Sequence, residues 1–223
     1  MIWHHAQWML MPSGVNMLEI KLCIFDVDGV LVNSRLLHYP ATAKALADYG
    51  YKYSQEEDDE FGTIPTLTKL EQLAKSGKIH NDDIDSIWKL KDTYSCILFD
   101  ENIMANVQIK SLFKKLKDSN IGIILASNAR YSFVEKVVSL LEVSEYVDHI
   151  LSAQYLTPKP DPEIYLTAMK LMGVSPSDTI IFEDSEVGKA AAYASGASVY
   201  EVESYDELTS SVFYPNETYS TSR

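Results

Sequence analysis

Two carboxylates stand where an apolar segment near the amino end of the chain gives way to a turn. They are Asp26 and Asp28, within the stretch Ile-Phe-Asp-Val-Asp-Gly-Val at 24–30. The apolar, β-branched residues before them predict a strand buried on both faces, as in a parallel sheet. Ligand crevices of open α/β sheets lie beyond the carboxyl ends of the strands. Because unpaired carboxylates are costly in a core, the pair favours a hard cation with oxygen ligands, Mg²⁺.

Asp and Gly are also turn residues, so this stretch alone could simply close a strand. Two later apolar segments, 121–126 and 179–182, are predicted strands that end in polar residues in the same way. The polar residues that follow the three strands are Asp26 and Asp28, Ser127 and Asn128, and Glu183 and Asp184. Parallel strands joined by crossover helices place their carboxyl ends at one edge of the sheet, so these groups should meet in one crevice.

The elements between these residues alternate between strands and amphipathic helices. Helices are predicted over 107–117, 131–141, 162–171 and 187–194, with further strands over 146–151 and 198–202. This pattern predicts an α/β fold with a Rossmann-like, doubly wound parallel sheet. The stiff loop at 157–163 contributes Lys159 to the crevice, and its Asp161 and Pro162 suit the N-cap and first position of the next helix. With four carboxylates against one lysine, negative charge is in excess, as a Mg²⁺ and phosphate site requires.

Residues 36–100 interrupt this alternation with a segment that contains helical patterns and no strand pattern. Helices are predicted over 41–49, 66–76 and 82–94, and the acidic stretch 51–60 is either a solvated loop or the start of a helix. We therefore expect an all-helical cap over 36–100, inserted into a core made of 18–35 and 101–212. Residues 1–17 are predicted to be an extension, with the functional chain starting near Met17, and residues 213–223 a flexible tail.

Composition narrows the class of protein. A net charge of -13 with no basic patch argues against nucleic-acid and anionic-membrane partners. Cys23 and Cys96 have no metal-ligand spacing, so they are interpreted as small apolar residues of a cytoplasmic protein. No apolar stretch reaches transmembrane length. We expect a monomer or a weak dimer that acts on a small molecule.

Four motifs together resemble the haloacid dehalogenase superfamily, in the branch of β-phosphoglucomutase and phosphoglycolate phosphatase. The motifs are Asp26-Val27-Asp28-Gly29-Val30, Ser127-Asn128, Lys159-Pro160-Asp161-Pro162, and Glu183-Asp184-Ser185 with Gly188. Each motif alone is weak, but all four occur in the family order. The resemblance covers residues 19 to about 210 and implies a Mg²⁺-dependent phosphate-ester hydrolase whose helical insert is a cap that closes over the crevice.

The resemblance also implies a role for each matching residue. Asp26 would be the nucleophile that forms an aspartyl-phosphate, and Asp28 would protonate the leaving oxygen and later activate water. The metal would be held by Asp26, the backbone carbonyl of Asp28, and Asp184 with support from Glu183. Ser127 and Lys159 would hold the phosphoryl oxygens, with backbone N–H groups of Val27, Asp28 and Asn128 as further donors.

Residues outside the motifs receive less specific expectations. Ser34 and His38 stand where this branch has its cap hinge, and His38 would either contact the substrate or tie the hinge to the nucleophile loop. Arg130 and Lys91 are candidates for contacts to a second phosphate, although surface charge is the commoner fate of such residues. Sugar-phosphate mutases carry an arginine near residues 61–66, and the best register places Pro65 there.

Three functions follow from this reading. The first is a phosphatase for a sugar phosphate, phosphoglycolate or a nucleoside monophosphate, which the missing arginine favours. The second is a phosphomutase that uses the same site. The third is a non-catalytic binding relative, which the retention of every motif residue argues against.

Overall fold

The computed structural model describes residues 19–62, 64–102, 104–106 and 108–209. The strands are β1 (Leu22–Phe25), β2 (Val32–Asn33), β3 (Met104–Ala105), β4 (Gly122–Ser127), β5 (His149–Ser152), β6 (Thr179–Glu183) and β7 (Ser198–Glu201). The helices are α1 (Arg35–Asp48), α2 (Gln55–Phe61), α3 (Thr66–Lys75), α4 (Ile84–Asn102), α5 (Ile109–Asp118), α6 (Tyr131–Leu140), α7 (Glu163–Met172) and α8 (Glu186–Ala194).

Five strands form one parallel sheet in the order β5-β4-β1-β6-β7. The central strand β1 lies between β4 and β6, and Phe25 pairs with Leu125 on one side and with Phe182 on the other. This register brings the carboxyl ends of β1, β4 and β6 to the same level. The predicted α/β fold with a doubly wound parallel sheet is confirmed.

Apolar side chains cover both faces of this sheet. Cys23 and Phe25 point into one layer, where Phe25 stacks on Phe182 with ring centroids 4.5 Å apart. Leu22 and Ile24 point into the opposite layer, against α7 and α8. Burial on both faces explains why the strand segments are continuous apolar runs without alternation.

The segment between β2 and β3 is helical, as predicted. Helices α1 to α4 surround their own apolar cluster, which includes Leu46, Leu70, Leu73 and Ile87. The acidic stretch forms α2 because Ser54 and Glu57 make a reciprocal capping box at its start. The short antiparallel pair of β2 and β3 joins this cap to the core, and two-residue strands leave no periodic signal in a sequence.

Several predicted element boundaries were wrong. Helix α1 begins at Arg35 rather than at residue 41, and it includes the exposed Pro40. Helix α7 begins at Glu163 with Pro162, not Asp161, at the N-cap position, although Asp161 Oδ1 accepts a hydrogen bond from the N–H of Glu163. Strand β5 begins at His149, three residues after the predicted start. The start of α1 was misplaced because Pro40 lies inside the helix, whereas proline usually occurs in the first turn. The one-residue shift of α7 is within the ordinary fraying of helix ends.

None of the helices in the described part of the chain is both long and apolar enough to cross a membrane. The predicted extension at 1–17 and tail at 213–223 lie outside the described residues. The division into a core and a cap at residues 36 and 100 stays a prediction, which the element order supports.

Candidate active site

Polar residues from the ends of β1, β4 and β6 line one cavity of about 540 Å³ between the sheet edge and the cap helices. Asp26 follows the central strand, so Ser127 at the end of β4 and Glu183 at the end of β6 flank it. Lys159 reaches the same point from the loop before α7. The sheet register thus brings together the polar groups predicted to meet.

Lys159 is the central cation of this cluster. Its ammonium donates to Asp26 Oδ1 at 2.6 Å, to Glu183 Oε1 at 3.1 Å and to the backbone carbonyl of Ala126 at 2.9 Å. The ring of Tyr165 lies 5.0 Å from the same nitrogen and contributes a cation–π contact. Burial alone would lower the pKa of Lys159, but Asp26 and Glu183 raise it well above its usual value. The residue therefore stays protonated.

Three carboxylates converge beside that lysine. Asp26, Glu183 and Asp184 each offer an oxygen within 4.8 Å of the others. Burial, followed by the charge of Glu183, raises the pKa of Asp26 well above its usual range, and burial also raises the pKa of Glu183. A divalent cation would favour the ionised forms and balance the excess negative charge, so the donor set fits a metal ion.

Two glycines allow the carboxylates to approach the backbone this closely. A Cβ on Gly29 would lie 2.1 Å from Asp184 Oδ2, and one on Gly188 would lie 2.0 Å from Glu183 Oε2. Gly29 also has a φ of 84°, in the left-handed region that other residues rarely adopt. Both glycines belong to the motifs identified in the sequence, and the structure gives the physical reason for each.

Asp28 lies on the cap side of Asp26 and contacts the cap hinge. Its Oδ1 accepts a hydrogen bond from Ser34 Oγ, which in turn lies 3.2 Å from His38 Nε2. Partial burial and the positive charge of Lys91 lower the pKa of His38 to about 4, so its imidazole is neutral at pH 7. His38 lines the cavity as well. Both predicted roles, substrate contact and hinge attachment, therefore remain compatible with its position.

Ser127 and Asn128 follow β4 at the cavity wall. Ser127 is buried, and its Oγ accepts a hydrogen bond from the N–H of Ala129 at 3.1 Å. The side chain of Asn128 bonds the backbone of Lys159 through both its oxygen, at 2.9 Å, and its nitrogen, at 3.3 Å. Asn128 thus fixes the loop that carries Lys159. A phosphate contact from Asn128 stays a prediction that concerns its backbone N–H.

The two basic residues predicted to contact a second phosphate also line the cavity. The guanidinium of Arg130 lies 4.9 Å from the ring of Trp88 on α4 and 3.9 Å from Asp85 Oδ1. Burial lowers the pKa of Lys91, and its strongest electrostatic attraction is to Asp28. In this conformation Arg130 connects the core to the cap, while Lys91 lies toward the strand ends.

The sequence analysis missed four charged residues of the cavity, which are Asp58 on α2, Lys69 on α3, Asp92 on α4 and Glu186 on α8. Asp58 is half-buried within a run of mostly exposed acidic residues, so nothing in the sequence distinguishes it. Lys69 gave a weak signal, because it precedes Leu73 by one helical turn and so falls on the buried face of α3.

Comparisons with known proteins agree with this geometry. The family model for haloacid dehalogenase-like hydrolases matches residues 23–202. A phosphorylated carbohydrates phosphatase of Thermotoga maritima is 27% identical over 178 residues, which are 79% of this chain and 82% of that protein. A beta-phosphoglucomutase of Bacillus subtilis is 28% identical over 186 residues, which are 79% of this chain and 80% of that protein.

Among solved structures, CbbY from Rhodobacter sphaeroides in complex with phosphate superposes with a TM-score of 0.74 at 24% identity. The match covers 85% of this chain and 96% of that one. At this level of identity the likeness shows the fold. The family match spans all four motifs and includes residues of every strand of the parallel sheet. This chain therefore belongs to the haloacid dehalogenase-like hydrolases.

Proposed function

We propose that this protein is a Mg²⁺-dependent phosphatase that hydrolyses a small phosphorylated metabolite through an aspartyl-phosphate on Asp26. The observation that carries the proposal is the contact between Asp26 and Lys159, 2.6 Å long, at the centre of a buried cluster with excess negative charge. A nucleophilic carboxylate beside a fixed ammonium is suited to attack a phosphoryl group whose oxygens the ammonium attracts. The phosphatases among its relatives support the same reaction class.

The chain supplies the groups for both halves of the reaction. An Asp26 oxygen attacks phosphorus while the bond from phosphorus to the leaving oxygen breaks, and Asp28 donates a proton to that oxygen. Asp28 then accepts a proton from water, which attacks the same phosphorus and releases Asp26 and inorganic phosphate. Ser127 and Lys159 hold the phosphoryl oxygens throughout. The hydrogen bond from Ser34 orients the Asp28 carboxyl.

Asp26, Asp184 and the backbone carbonyl of Asp28 are the proposed metal ligands, with Glu183 in support. When bound, Mg²⁺ would supply positive charge against the phosphoryl oxygens in the transition state. Glu183 also accepts a hydrogen bond from Lys159, so we expect it to position that lysine as well. The raised pKa values of Asp26 and Glu183 support a cation at this point, because burial and then the neighbouring carboxylates disfavour their ionised forms, and a cation offsets both effects.

The test compares Asp26→Asn and Asp28→Asn with the wild type on p-nitrophenyl phosphate and a sugar phosphate, with Mg²⁺ and with EDTA. Asp26→Asn should lose about 10⁴-fold or more in kcat on both substrates, as removal of a nucleophile does. Asp28→Asn should give a stoichiometric burst of p-nitrophenol, whose departure needs no proton, followed by slow turnover. Turnover by Asp26→Asn, or full wild-type activity in EDTA, would contradict the mechanism.

A phosphomutase is the second candidate, because a beta-phosphoglucomutase is among the relatives. The assay supplies β-glucose 1-phosphate with a bisphosphate primer and measures both products. Phosphate release faster than isomerisation would support the phosphatase, and the reverse would support the mutase.

A further inference from the structure

Two oppositely charged side chains of the cap face the cavity from neighbouring helices. The ammonium of Lys69 on α3 donates to Asp58 Oδ1 on α2 at 2.8 Å. Their side chains are 10% and 15% exposed, so the pair is largely removed from water without being sealed off. Both residues line the cavity that contains Asp26. We call these two residues the cap pair.

A third residue fixes the orientation of the cap pair. The hydroxyl of the buried Tyr53 donates to the same oxygen, Asp58 Oδ1, at 2.8 Å. The ring of Tyr53 packs between Tyr39 and Phe61 in the apolar cluster of the cap. Two donors on one oxygen and a rigid aromatic support hold the carboxylate in a single orientation. The geometry of the pair is therefore set before any ligand binds.

The cap pair has hydrogen-bonding capacity beyond its internal contact. An ammonium has three protons, and one of those on Lys69 is used by Asp58. The hydrogen bonds from Lys69 and Tyr53 both end on Asp58 Oδ1, and none of the described residues donates one to Asp58 Oδ2. The pair can thus donate to a ligand through Lys69 and accept from it through Asp58. A hydroxyl group does both and fits such a pair.

The charge balance at this position argues against a second phosphate. Asp58 already neutralises Lys69, and a phosphate beside Lys69 would also stand beside the Asp58 carboxylate. Like charges brought together in a partly desolvated cavity are strongly unfavourable. Lys91, the other lysine that the cap contributes to the cavity, is attracted by Asp28 and Asp92 and repelled by Lys69. Two carboxylates thus oppose its single positive charge.

We propose that the cap pair, Asp58 and Lys69, is a specificity determinant that recognises hydroxyl groups of the substrate and selects polyhydroxylated monophosphates over bisphosphates. This inference rests on the proposed phosphatase function and specifies its substrate class. The two residues act by binding the part of the substrate that carries no reacting atom. Neither residue belongs to a family motif, so the motifs alone did not indicate which phosphorylated substrate the cavity accepts.

The experiment measures kcat/KM for fructose 1-phosphate and fructose 1,6-bisphosphate, and its readout is the ratio of the two values. The wild type should favour the monophosphate. Asp58→Asn keeps the shape of the side chain but leaves the ammonium of Lys69 without its counter-charge. We expect this variant to lower the ratio of monophosphate to bisphosphate by about 10- to 100-fold, because a like-charge contact with the second phosphate is removed.

Asp59→Asn is the matched control. Asp59 is the next residue on α2, it is exposed, and it bonds Gln55 within the same helix. The control removes an identical charge from the same helix without touching the cavity, so it should keep the wild-type ratio. A general structural defect would lower both values of kcat/KM together and leave their ratio unchanged. The ratio therefore separates recognition from folding.

Lys69→Gln provides a second, independent variant. It removes the ammonium while Asp58 keeps its charge. The KM for the monophosphate should rise, but kcat/KM for the bisphosphate should fall by a larger factor, so the ratio should rise. Opposite effects of Asp58→Asn and Lys69→Gln on the ratio would support the proposal. A wild type that prefers the bisphosphate, or ratios that neither variant changes, would overturn it. If no phosphate ester is hydrolysed by the wild type, the proposed function itself fails.

Discussion

The two ends of the cavity hold their charges in different ways. At the sheet edge, Asp26 and Glu183 both contact the ammonium of Lys159, and Asp184 lies beside them, so three carboxylates gather around that ammonium. At the cap end, one carboxylate faces one ammonium in the pair of Asp58 and Lys69. The sheet edge is held by backbone register, whereas the cap end is held by packing between short helices.

This difference separates the reaction from the choice of substrate. Excess negative charge is unfavourable in a buried cluster unless a cation binds, and that same cluster is the proposed place of phosphoryl transfer. A carboxylate paired with an ammonium needs no further cation, and it can form hydrogen bonds with neutral hydroxyl groups at small electrostatic cost. We therefore expect changes at the sheet edge to affect stability, metal binding and kcat. Changes at the cap end should affect selectivity.

The largest effect should follow from Lys159→Met. The variant leaves the carboxylates of Asp26 and Glu183 buried without their shared ammonium. Removal of one partner from a buried ion pair costs about 3–5 kcal/mol in the free energy of unfolding. Loss of a fixed hydrogen-bond donor to the phosphoryl oxygens should lower kcat by about 10²- to 10³-fold. Urea denaturation in EDTA and hydrolysis of p-nitrophenyl phosphate measure the two effects.

Lys114→Met is the control for that variant, because Lys114 pairs with Asp118 on the exposed face of α5. It should change neither stability nor activity appreciably. Mg²⁺ should restore part of the stability of Lys159→Met, since it brings positive charge to the same carboxylates. Wild-type stability of Lys159→Met in EDTA would mean that the cluster is not electrostatically strained.

A smaller effect should distinguish two glycines, one beside the sheet-edge carboxylates and one in the cap. Gly29, at the sheet edge, has a φ of 84° and would place a Cβ 2.1 Å from Asp184. Gly50, in the cap, has a φ of 78° with no atom within 4 Å of a Cβ. Both alanine variants should lose about 1–2 kcal/mol from left-handed strain. Gly29→Ala should lose about 1–3 kcal/mol more, because the added methyl group displaces Asp184.

Calorimetric titration with Mg²⁺ separates the two glycine variants further. Gly29→Ala should bind Mg²⁺ more weakly than the wild type, since the carboxylate that must move is a proposed ligand. Gly50→Ala should bind Mg²⁺ as the wild type does. Equal stability losses and equal Mg²⁺ affinities in the two variants would contradict the close approach of Asp184 to the backbone.

The same contrast explains what the sequence could and could not predict. Asp26, Ser127 and Asp184 each follow an apolar strand, and parallel strands leave no choice about the edge at which they end. Their meeting therefore followed from chain order alone. The cap pair depends on how α2 and α3 rotate and approach each other. That geometry is decided by contacts between Leu70, Leu73 and their neighbours, which no local pattern records.

The start of α1 was mispredicted for a related reason. Ser34 precedes the helix and would ordinarily cap it, but its hydroxyl bonds the carboxylate of Asp28 instead. The helix begins without a side-chain cap and continues through Pro40, so the usual local signals point to a later start. The hydroxyl of Ser34 bonds a candidate site residue instead of capping the helix, and the sequence alone does not show which of the two partners it takes.

The smallest effect concerns His38, which stands between the two ends of the cavity. Partial burial and the charge of Lys91 lower its pKa to about 4, against an ordinary value near 6.5. Between pH 4 and 6.5 the unfolded chain then binds more protons than the folded protein, so this residue makes stability rise with pH across that window. Above pH 6.5 the contribution is constant. The ring is 38% exposed, and solvent should weaken the effect.

His38→Gln removes this titration, so its free energy of unfolding should change less between pH 5 and pH 7 than that of the wild type. Urea denaturation at both pH values, in EDTA, measures the difference. His80→Gln, which removes an exposed histidine of the same cap, should keep the wild-type pH dependence. If His38→Gln also kept it, the pKa of the imidazole would be the same in the folded protein and in the unfolded chain, and the ring would be protonated at pH 5. The hinge would then carry a positive charge beside Asp28 at that pH.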